Sequence, residues 1–322
     1  MTRNYARNEG AEYSCTAQVG KVKIRKMAER DQYGTIHHYT EKVRAVRPVV
    51  QCITNIVTVN DCANALLAVG ASPTMAHHPE EMADFAAFSD SLVCNMGATE
   101  SLEAMERAME LAAERGHPIV VDPVGCAGSA FRRKKCLYLI GKTSPSCIRG
   151  NASEIRALAL DHATGKGVDD FDDDFDKEQD AGGTAAAEQH ERQIIKAVAA
   201  LSRKTGAIVI ASGETDYIGY CPNTAAGRDG SSPQTEVKAL RGGSPLMARI
   251  TGSGCMLSAL LGGFLAAEDS PESAMACCAM MNRCGELAEA RTRKEGGGTG
   301  TFHIALMDAL FCLVEGTIMV ID

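Results

Sequence analysis

Thr251-Gly252-Ser253-Gly254-Cys255 runs straight into the apolar stretch Met256–Ala267. A helix that starts behind glycines offers unpaired backbone N–H groups and the positive end of its dipole, a setting that suits a phosphate or another anion. Gly252, Ser253 and Gly254 are therefore candidate anion-hole residues. Cys255 stands at the helix entry, where the same field favours a thiolate or a carboxylate, and it is the candidate base. Arg149-Gly150-Asn151-Ala152-Ser153-Glu154 is the second such segment. Asn151 or Ser153 can cap the following helix with Glu154 in its first turn, which accounts for those residues structurally. An arginine at the end of a buried strand is not explained that way, and its fork matches phosphate oxygens. Glu154 can hold Mg²⁺ through water, because magnesium keeps several of its waters. Asp122, just after Ile119–Val121, is either a second magnesium partner or a turn-closing carboxylate. Ser212-Gly213-Glu214 brings a hydroxyl and bare backbone close to a ligand, or is an ordinary turn. Met75 reads first as a core residue. His77 and His78 lack zinc spacing and read as surface or capping residues.

These residues need a frame. Five β-like runs stand out, at Val49–Ile53, Ser91–Cys94, Ile119–Val121, Cys147-Ile148 and Ala207–Ala211. Helical patterns lie between them, at Asn60–Val69, Pro79–Phe88, Leu102–Arg115, Ser153–Leu160 and Gln189–Thr205. The alternation predicts an α/β fold in three α/β/α layers around a mostly parallel sheet. Each run ends in small or polar residues, and in such sheets ligands bind beyond the carboxyl ends of the strands. Residues 1–47 are polar, with one predicted helix at Asp31–Val46 lacking a sustained apolar face, and read as an extension. Residues 48–322 read as one domain. Within it, 165–183 is acidic and reads as a mobile insertion without calcium-loop spacing, and 222–233 as a hairpin or loop.

Bulk composition excludes several classes. The net charge of −8, the absence of Trp and the 5% aromatic content argue against nucleic-acid binding. Thirteen cysteines are scattered with no CxxC pair, which predicts buried core thiols in a reducing compartment rather than disulfides. Residues 1–30 lack an apolar signal core, and no apolar run is long enough to cross a membrane, so a cytoplasmic protein with no membrane partner is expected. Neither a P-loop nor a dinucleotide-binding glycine fingerprint is present. Gly296–Gly300 reads as a phosphate loop or a hinge.

Taken together, the motifs resemble those of the hydroxyethylthiazole kinases, thiamine-salvage enzymes of the ribokinase-like superfamily. The resemblance rests on Cys52-Ile53-Thr54-Asn55, Gly70-Ala71-Ser72-Pro73-Thr74-Met75-Ala76-His77, Asp122-Pro123-Val124-Gly125, Ile148–Glu154, Ser212-Gly213-Glu214 and Thr251–Cys255, in the family's order. It implies transfer of the ATP γ-phosphoryl group to the hydroxyl of 4-methyl-5-(2-hydroxyethyl)thiazole, with Mg²⁺. By the same resemblance Met75 and Gly252 contact the thiazole and Asn55 lines its pocket. Arg149 and Ser212 contact ATP, Asp122 and Glu154 help hold Mg²⁺, and the chain forms a homotrimer with pockets at subunit contacts. Cys255 stands where most of the superfamily carries an aspartate base. The helix start is expected to lower its thiol pKa, and a bound triphosphate to push it back up. Ser212 replaces the usual threonine, and Cys126 a small residue. Gly298-Thr299-Gly300-Thr301-Phe302 replaces Gly-Pro-Gly-Ser-Phe, and the lost proline predicts a more mobile loop. The rival readings are a pyridoxal or hydroxymethylpyrimidine kinase, a nucleotide-dependent dehydratase of the same fold, and a non-catalytic nucleotide- or thiazole-binding protein.

Overall fold

A computed structural model describes residues 13–17, 20–26, 29–161, 184–222 and 235–314. The strands are β1 (Tyr13–Ala17), β2 (Gly20–Lys26), β3 (Val49–Ile53), β4 (Ser72–Thr74), β5 (Ser91–Asn95), β6 (Ile119–Asp122), β7 (Cys147–Asn151), β8 (Ile208–Ser212), β9 (Thr215–Tyr220) and β10 (Glu236–Arg241). The helices are α1 (Glu29–Val46), α2 (Val59–Ala68), α3 (Met82–Ala86), α4 (Leu102–Arg115), α5 (Ala130–Thr143), α6 (Ala152–Asp161), α7 (Thr184–Thr205), α8 (Ser253–Ala267), α9 (Pro271–Lys294) and α10 (Thr299–Val314).

All ten strands form one sheet in the order β1-β2-β10-β9-β8-β7-β6-β5-β3-β4. The block from β8 to β4 is parallel throughout, and β9 runs antiparallel to both β8 and β10. Successive side chains of a strand point to opposite faces, and the two cores divide accordingly. Val50, Cys52, Val93, Val120, Cys147, Ile208 and Ile210 pack with α1, α2, α8, α9 and α10. Ile53, Leu92, Cys94, Ile119, Val121, Ile148 and Val209 pack with α3 to α7. The three-layer α/β/α expectation is borne out.

All five strand runs read from the sequence are strands, and each helical pattern is helical, with Pro79–Phe88 split into a short turn and α3. His78 caps that turn through a capping box with Glu81, as its surface position suggested. Two expectations change. The segment before residue 48 reads as polar, yet Ile36, Tyr39 and Val43 are buried and α1 packs on α8 and α9. Their helical spacing, about one turn from each to the next, makes a narrow apolar stripe that the surrounding charges obscure. The glycine run near the C terminus is not a free loop after Gly298: Thr299 opens α10, and Phe302 is fully buried. The acidic segment 165–183 lies outside the described residues. So does most of 222–233, although the strands flanking it, β9 and β10, pair antiparallel.

Cysteines fill the cores as small apolar residues. The described ones are free thiols, and all but Cys221, Cys255 and Cys312 are buried. Among the described residues, no helix is long and apolar enough to cross a membrane.

Candidate functional site

The carboxyl ends of β3, β5, β6, β7 and β8 lie along one edge of the sheet, and the N-terminus of α8 sits over that edge. Helix α8 is apolar on nearly every side, and Met256 to Leu265 are all buried. It packs on β3, β5 and β6 and under α1, α2 and α9. Ser91 on β5 donates its hydroxyl hydrogen to the Gly262 carbonyl at 2.9 Å, pinning the helix to the sheet. This burial fixes where the helix starts. Gly252 is its N-cap, with φ of 88°, a backbone conformation that strains any residue with a Cβ. A Cβ there would also stand 2.8 Å from the Thr58 methyl group. The first intrahelical bond runs from the Met256 N–H to the Gly252 carbonyl, so the N–H groups of Ser253, Gly254 and Cys255 are left for a ligand.

On one flank of this helix start lies Arg149. Its Nη2 donates to the Ser212 hydroxyl at 2.5 Å, and Ser212 in turn donates to the Gly150 carbonyl at 3.2 Å. A side chain at Gly254 would begin 2.6 Å from Arg149 Nη1. The guanidinium thus lies against the helix start, and its buried Nε has no hydrogen-bond partner among the described residues. The Arg149 Nε and the N–H groups of Ser253, Gly254 and Cys255 thus lack an acceptor among the described residues. Beside them opens a cavity of about 670 Å³ lined by Arg149, Asn151, Ser212, Gly213, Asp216, Gly242, Gly243, Met247, Ser253, Gly254 and Asn282, among others. That size suits a nucleotide.

On the other flank lies Cys255. Asn95, the last residue of β5, donates from Nδ2 to Cys255 Sγ at 3.1 Å and to Asp122 Oδ2 at 3.0 Å. Its own Oδ1 accepts from the Gly97 N–H at 2.7 Å, which fixes the amide orientation. Ser258, one turn along α8 from Cys255, donates to Asp122 Oδ2 at 2.8 Å. Asn55 completes this side: a Cβ on Gly97 would stand 2.7 Å from Asn55 Nδ2 and 2.8 Å from Asn95 Oδ1. The crevice therefore lies between the ends of β3 and β5, where the chain reverses its direction of travel across the sheet, the usual ligand position in such folds. Met75 follows β4, the outermost strand, and is half-buried against the core that contains α8. No hydrogen bond among the described residues ties its side chain to the others.

Two titrations are set by this packing. Burial pushes the Asp122 carboxyl up to about 6, against lowering by Arg149 and Ser258, with the Glu154 charge adding to the rise. Burial, then the Asp122 charge, also pushes the Cys255 thiol above its ordinary value, against Thr58, Asn95 and Arg149. The lowering expected for a thiol at a helix start is thus reversed. Removal of the sulfur from water, beside a carboxylate, outweighs the field of the helix.

The carboxylates differ in how well they suit a cation. Asp122 is fully buried and its Oδ1 has no hydrogen-bond partner among the described residues, so it has an oxygen to offer a magnesium ion or one of its waters. Glu154 is committed. Its Oε1 accepts from the Gly125 N–H and its Oε2 from the Asn151 N–H, both at 2.9 Å, while Asn151 Oδ1 accepts from the Glu154 N–H at 2.9 Å. The last two bonds are a capping box at the start of α6. Glu154 can reach a cation only with the lone pairs that remain, through water. No cluster of three His, Cys, Asp or Glu residues able to hold a metal occurs among the described residues.

Asn95, Asp216, Gly242, Gly243, Met247 and Asn282 belong to the site but escape a motif search. Asn95 was legible only as a polar strand end. The rest come from β9 and from the β10–α8 and α9 segments, which carry no motif.

Comparison with known proteins agrees with this arrangement. The model of the hydroxyethylthiazole kinase family matches residues 40–316. Hydroxyethylthiazole kinase 1 of Methanosphaera stadtmanae is 38% identical over 292 residues, covering 88% of this chain and 94% of that protein. Hydroxyethylthiazole kinase of Desulfovibrio desulfuricans is 39% identical over 285 residues, covering 85% and 92%. The solved structure of a hydroxyethylthiazole kinase protein from Pyrococcus horikoshii OT3 superposes with a TM-score of 0.69 at 30% identity, covering 89% of this chain and 96% of that one. A match of this extent to the family, with Cys255 at the entry of a buried helix over the sheet edge, leads to one conclusion: the chain belongs to the hydroxyethylthiazole kinase family.

Proposed function

We propose that the protein transfers the γ-phosphoryl group of ATP to the primary hydroxyl of 4-methyl-5-(2-hydroxyethyl)thiazole, in thiamine salvage. The observation that carries this reading is the helix start of α8 with a different chemistry on each flank. Arg149, Ser212 and a nucleotide-sized cavity lie on one side, and Cys255, Asn95 and Asp122 on the other. A donor phosphate and an acceptor hydroxyl would meet at the free N–H groups of Ser253, Gly254 and Cys255.

Phosphoryl transfer asks the protein mainly for position and charge. Arg149 neutralises the β- and γ-phosphates, and its unpartnered Nε and the helix N–H groups take the charge that develops on the moving group. Gly252 lets the chain turn tightly beside the thiazole, and Asn55 and Met75 line its pocket. Asp122 would hold a magnesium ion, with Glu154 reaching it through water, and the ion would supply positive charge against the phosphates. Cys255 stands nearest the acceptor hydroxyl. With its pKa raised it keeps its proton at neutral pH and positions the hydroxyl rather than deprotonating it; in a loose transition state the hydroxyl proton leaves late, to an oxygen of the transferred phosphoryl group.

Ile56 and Val57, directly after Asn55, are 80% and 65% exposed, although both are large and apolar. We assign them to a subunit contact of a homotrimer whose active sites lie at the interfaces. A solution mass of three chains by light scattering is the expected result. The substrate assignment is tested by ATP turnover with the thiazole alcohol, pyridoxal and hydroxymethylpyrimidine side by side. Turnover with the thiazole alcohol alone, or at least hundredfold faster, is expected on the scale at which built hydrogen-bonding sites discriminate.

A further inference from the structure

The nucleotide-sized cavity contains a polar device that phosphate binding does not use. Asp216, on β9, is 2% exposed. Its Oδ1 accepts from the Gly213 N–H at 3.1 Å and its Oδ2 from Asn282 Nδ2 at 2.9 Å. A carboxylate only accepts hydrogen bonds, so this contact fixes which end of the Asn282 amide faces which way. The other end, Oδ1, lies over Gly243, 3.2 Å from where a Cβ would be. The Gly243 N–H does not satisfy it, because that N–H donates to Glu286 Oε1 at 3.3 Å. No described residue donates to Asn282 Oδ1. A half-buried amide is thus held with its acceptor free inside the cavity, by a buried carboxylate that has no other described side-chain hydrogen bond.

The surroundings of this acceptor are those of a flat, mostly apolar group. The Met247 sulfur lies 3.5 Å from the Cβ position of Gly243 and 2.8 Å from that of Gly285. Pro245 and Met281 line the same cavity. Two consecutive glycines with positive φ, Gly242 and Gly243, keep this wall free of side chains. The charged donors, Arg149 and the start of α8, belong to the phosphate end.

We propose that Asn282 is the base-selecting residue of the nucleotide site, and that Asp216 is the positioning residue that orients it. Asn282 Oδ1 accepts from the exocyclic amine of adenine. Guanine presents a carbonyl oxygen at that position, so two acceptors face each other with no proton between them. The site therefore takes adenosine triphosphates and rejects guanosine triphosphates. This inference rests on the reading of the protein as an ATP-dependent kinase and adds the group by which it reads the base.

The test is calorimetric binding of ATP, GTP and 2′-deoxy-ATP to the full chain, wild type beside Asn282→Ala and Asp216→Asn, with turnover on the thiazole alcohol measured in parallel. Wild type is expected to bind ATP roughly tenfold or more tighter than GTP, the scale of one hydrogen bond against an unpaired acceptor. Asn282→Ala should lose that preference by weakening ATP binding more than GTP binding. Asp216→Asn, which keeps the shape but frees the amide to turn, should narrow the ATP-to-GTP ratio in a folded protein, an effect that a purely structural role would not produce. An unchanged ratio in a folded Asn282→Ala protein overturns the proposal. So does a wild type that binds neither triphosphate. An Asn282→Ala protein that instead loses discrimination against 2′-deoxy-ATP also overturns it, since the amide then reads the sugar. If ATP preference behaves as stated but no thiazole phosphate forms, the kinase reading fails and the base-reading amide stands.

Discussion

Arg149 and Asp122 carry the sharpest consequences among single residues. Arg149 uses a planar fork against Ser212 and the face of Gly254, a geometry that a lysine ammonium cannot copy. Arg149→Lys should lower kcat/KM for ATP by roughly 10- to 150-fold, the worth of charge-assisted hydrogen bonds, as read by initial rates against ATP concentration. At Asp122 the folded-state pKa is raised to about 6 from 3.8. The folded state therefore binds a proton more readily than the unfolded chain between those values. The burial penalty, about 3 kcal/mol, is fully present above pH 6 and is relieved as the pH falls toward 4. In metal-free buffer the melting temperature of wild type, taken relative to Asp122→Asn, should rise from pH 7 to pH 5. A constant offset would mean that Asp122 titrates normally. Cys255, with its thiol pKa raised, is a protonated thiol that positions the acceptor hydroxyl rather than a thiolate base. Cys255→Ala should lose less than the 10²- to 10⁴-fold typical of general-base removal, and Cys255→Asp should match or exceed wild-type turnover. Loss of activity in Cys255→Asp, measured at saturating ATP, would show that the sulfur itself is required.

At the scale of elements, the start of α6 separates structural from chemical roles. The sequence Asn151-Ala152-Ser153-Glu154 satisfies a capping pattern, and the structure shows the reciprocal bonds. Asn151→Ala should cost about 1 kcal/mol in chemical denaturation, as lost caps do. Glu154→Gln keeps a residue able to complete the box. Its melting temperature should stay near wild type while the magnesium concentration for half-maximal rate rises roughly tenfold, as for outer-shell partners. An unchanged magnesium requirement would reduce Glu154 to its capping role. Element legibility followed burial. Strands such as Val49–Ile53 and Ser91–Asn95 are covered on both faces, so their apolar runs stand out. Strands β9 and β10 read poorly because Thr215-Asp216-Tyr217 and Glu236-Val237-Lys238 mix charge with apolar residues, although β9 is buried along nearly its whole length. Helix α1 hid its stripe of Ile36, Tyr39 and Val43 among polar neighbours.

At the scale of the molecule, the site is a meeting of distant segments. The phosphate-facing half was readable because Arg149, Ser212 and Gly252–Cys255 are local motifs at strand and helix ends. The base-facing half was not, since Asp216, Gly243 and Asn282 converge only after α9 folds against β9 and the β10–α8 segment. No spacing within one segment could reveal that. Cys255 was found by its place before an apolar helix, but its pKa direction needed the fold, because Asp122 and Asn95 come from strands far away in sequence. In the proposed reaction both flanks of the α8 start act together. The most direct measurement is ADP release coupled to product analysis, with Mg-ATP and the thiazole alcohol as substrates. ADP and the thiazole phosphate ester are expected in equal amounts, with ADP release dependent on the alcohol. No turnover, or ADP with free phosphate and no ester, would contradict it.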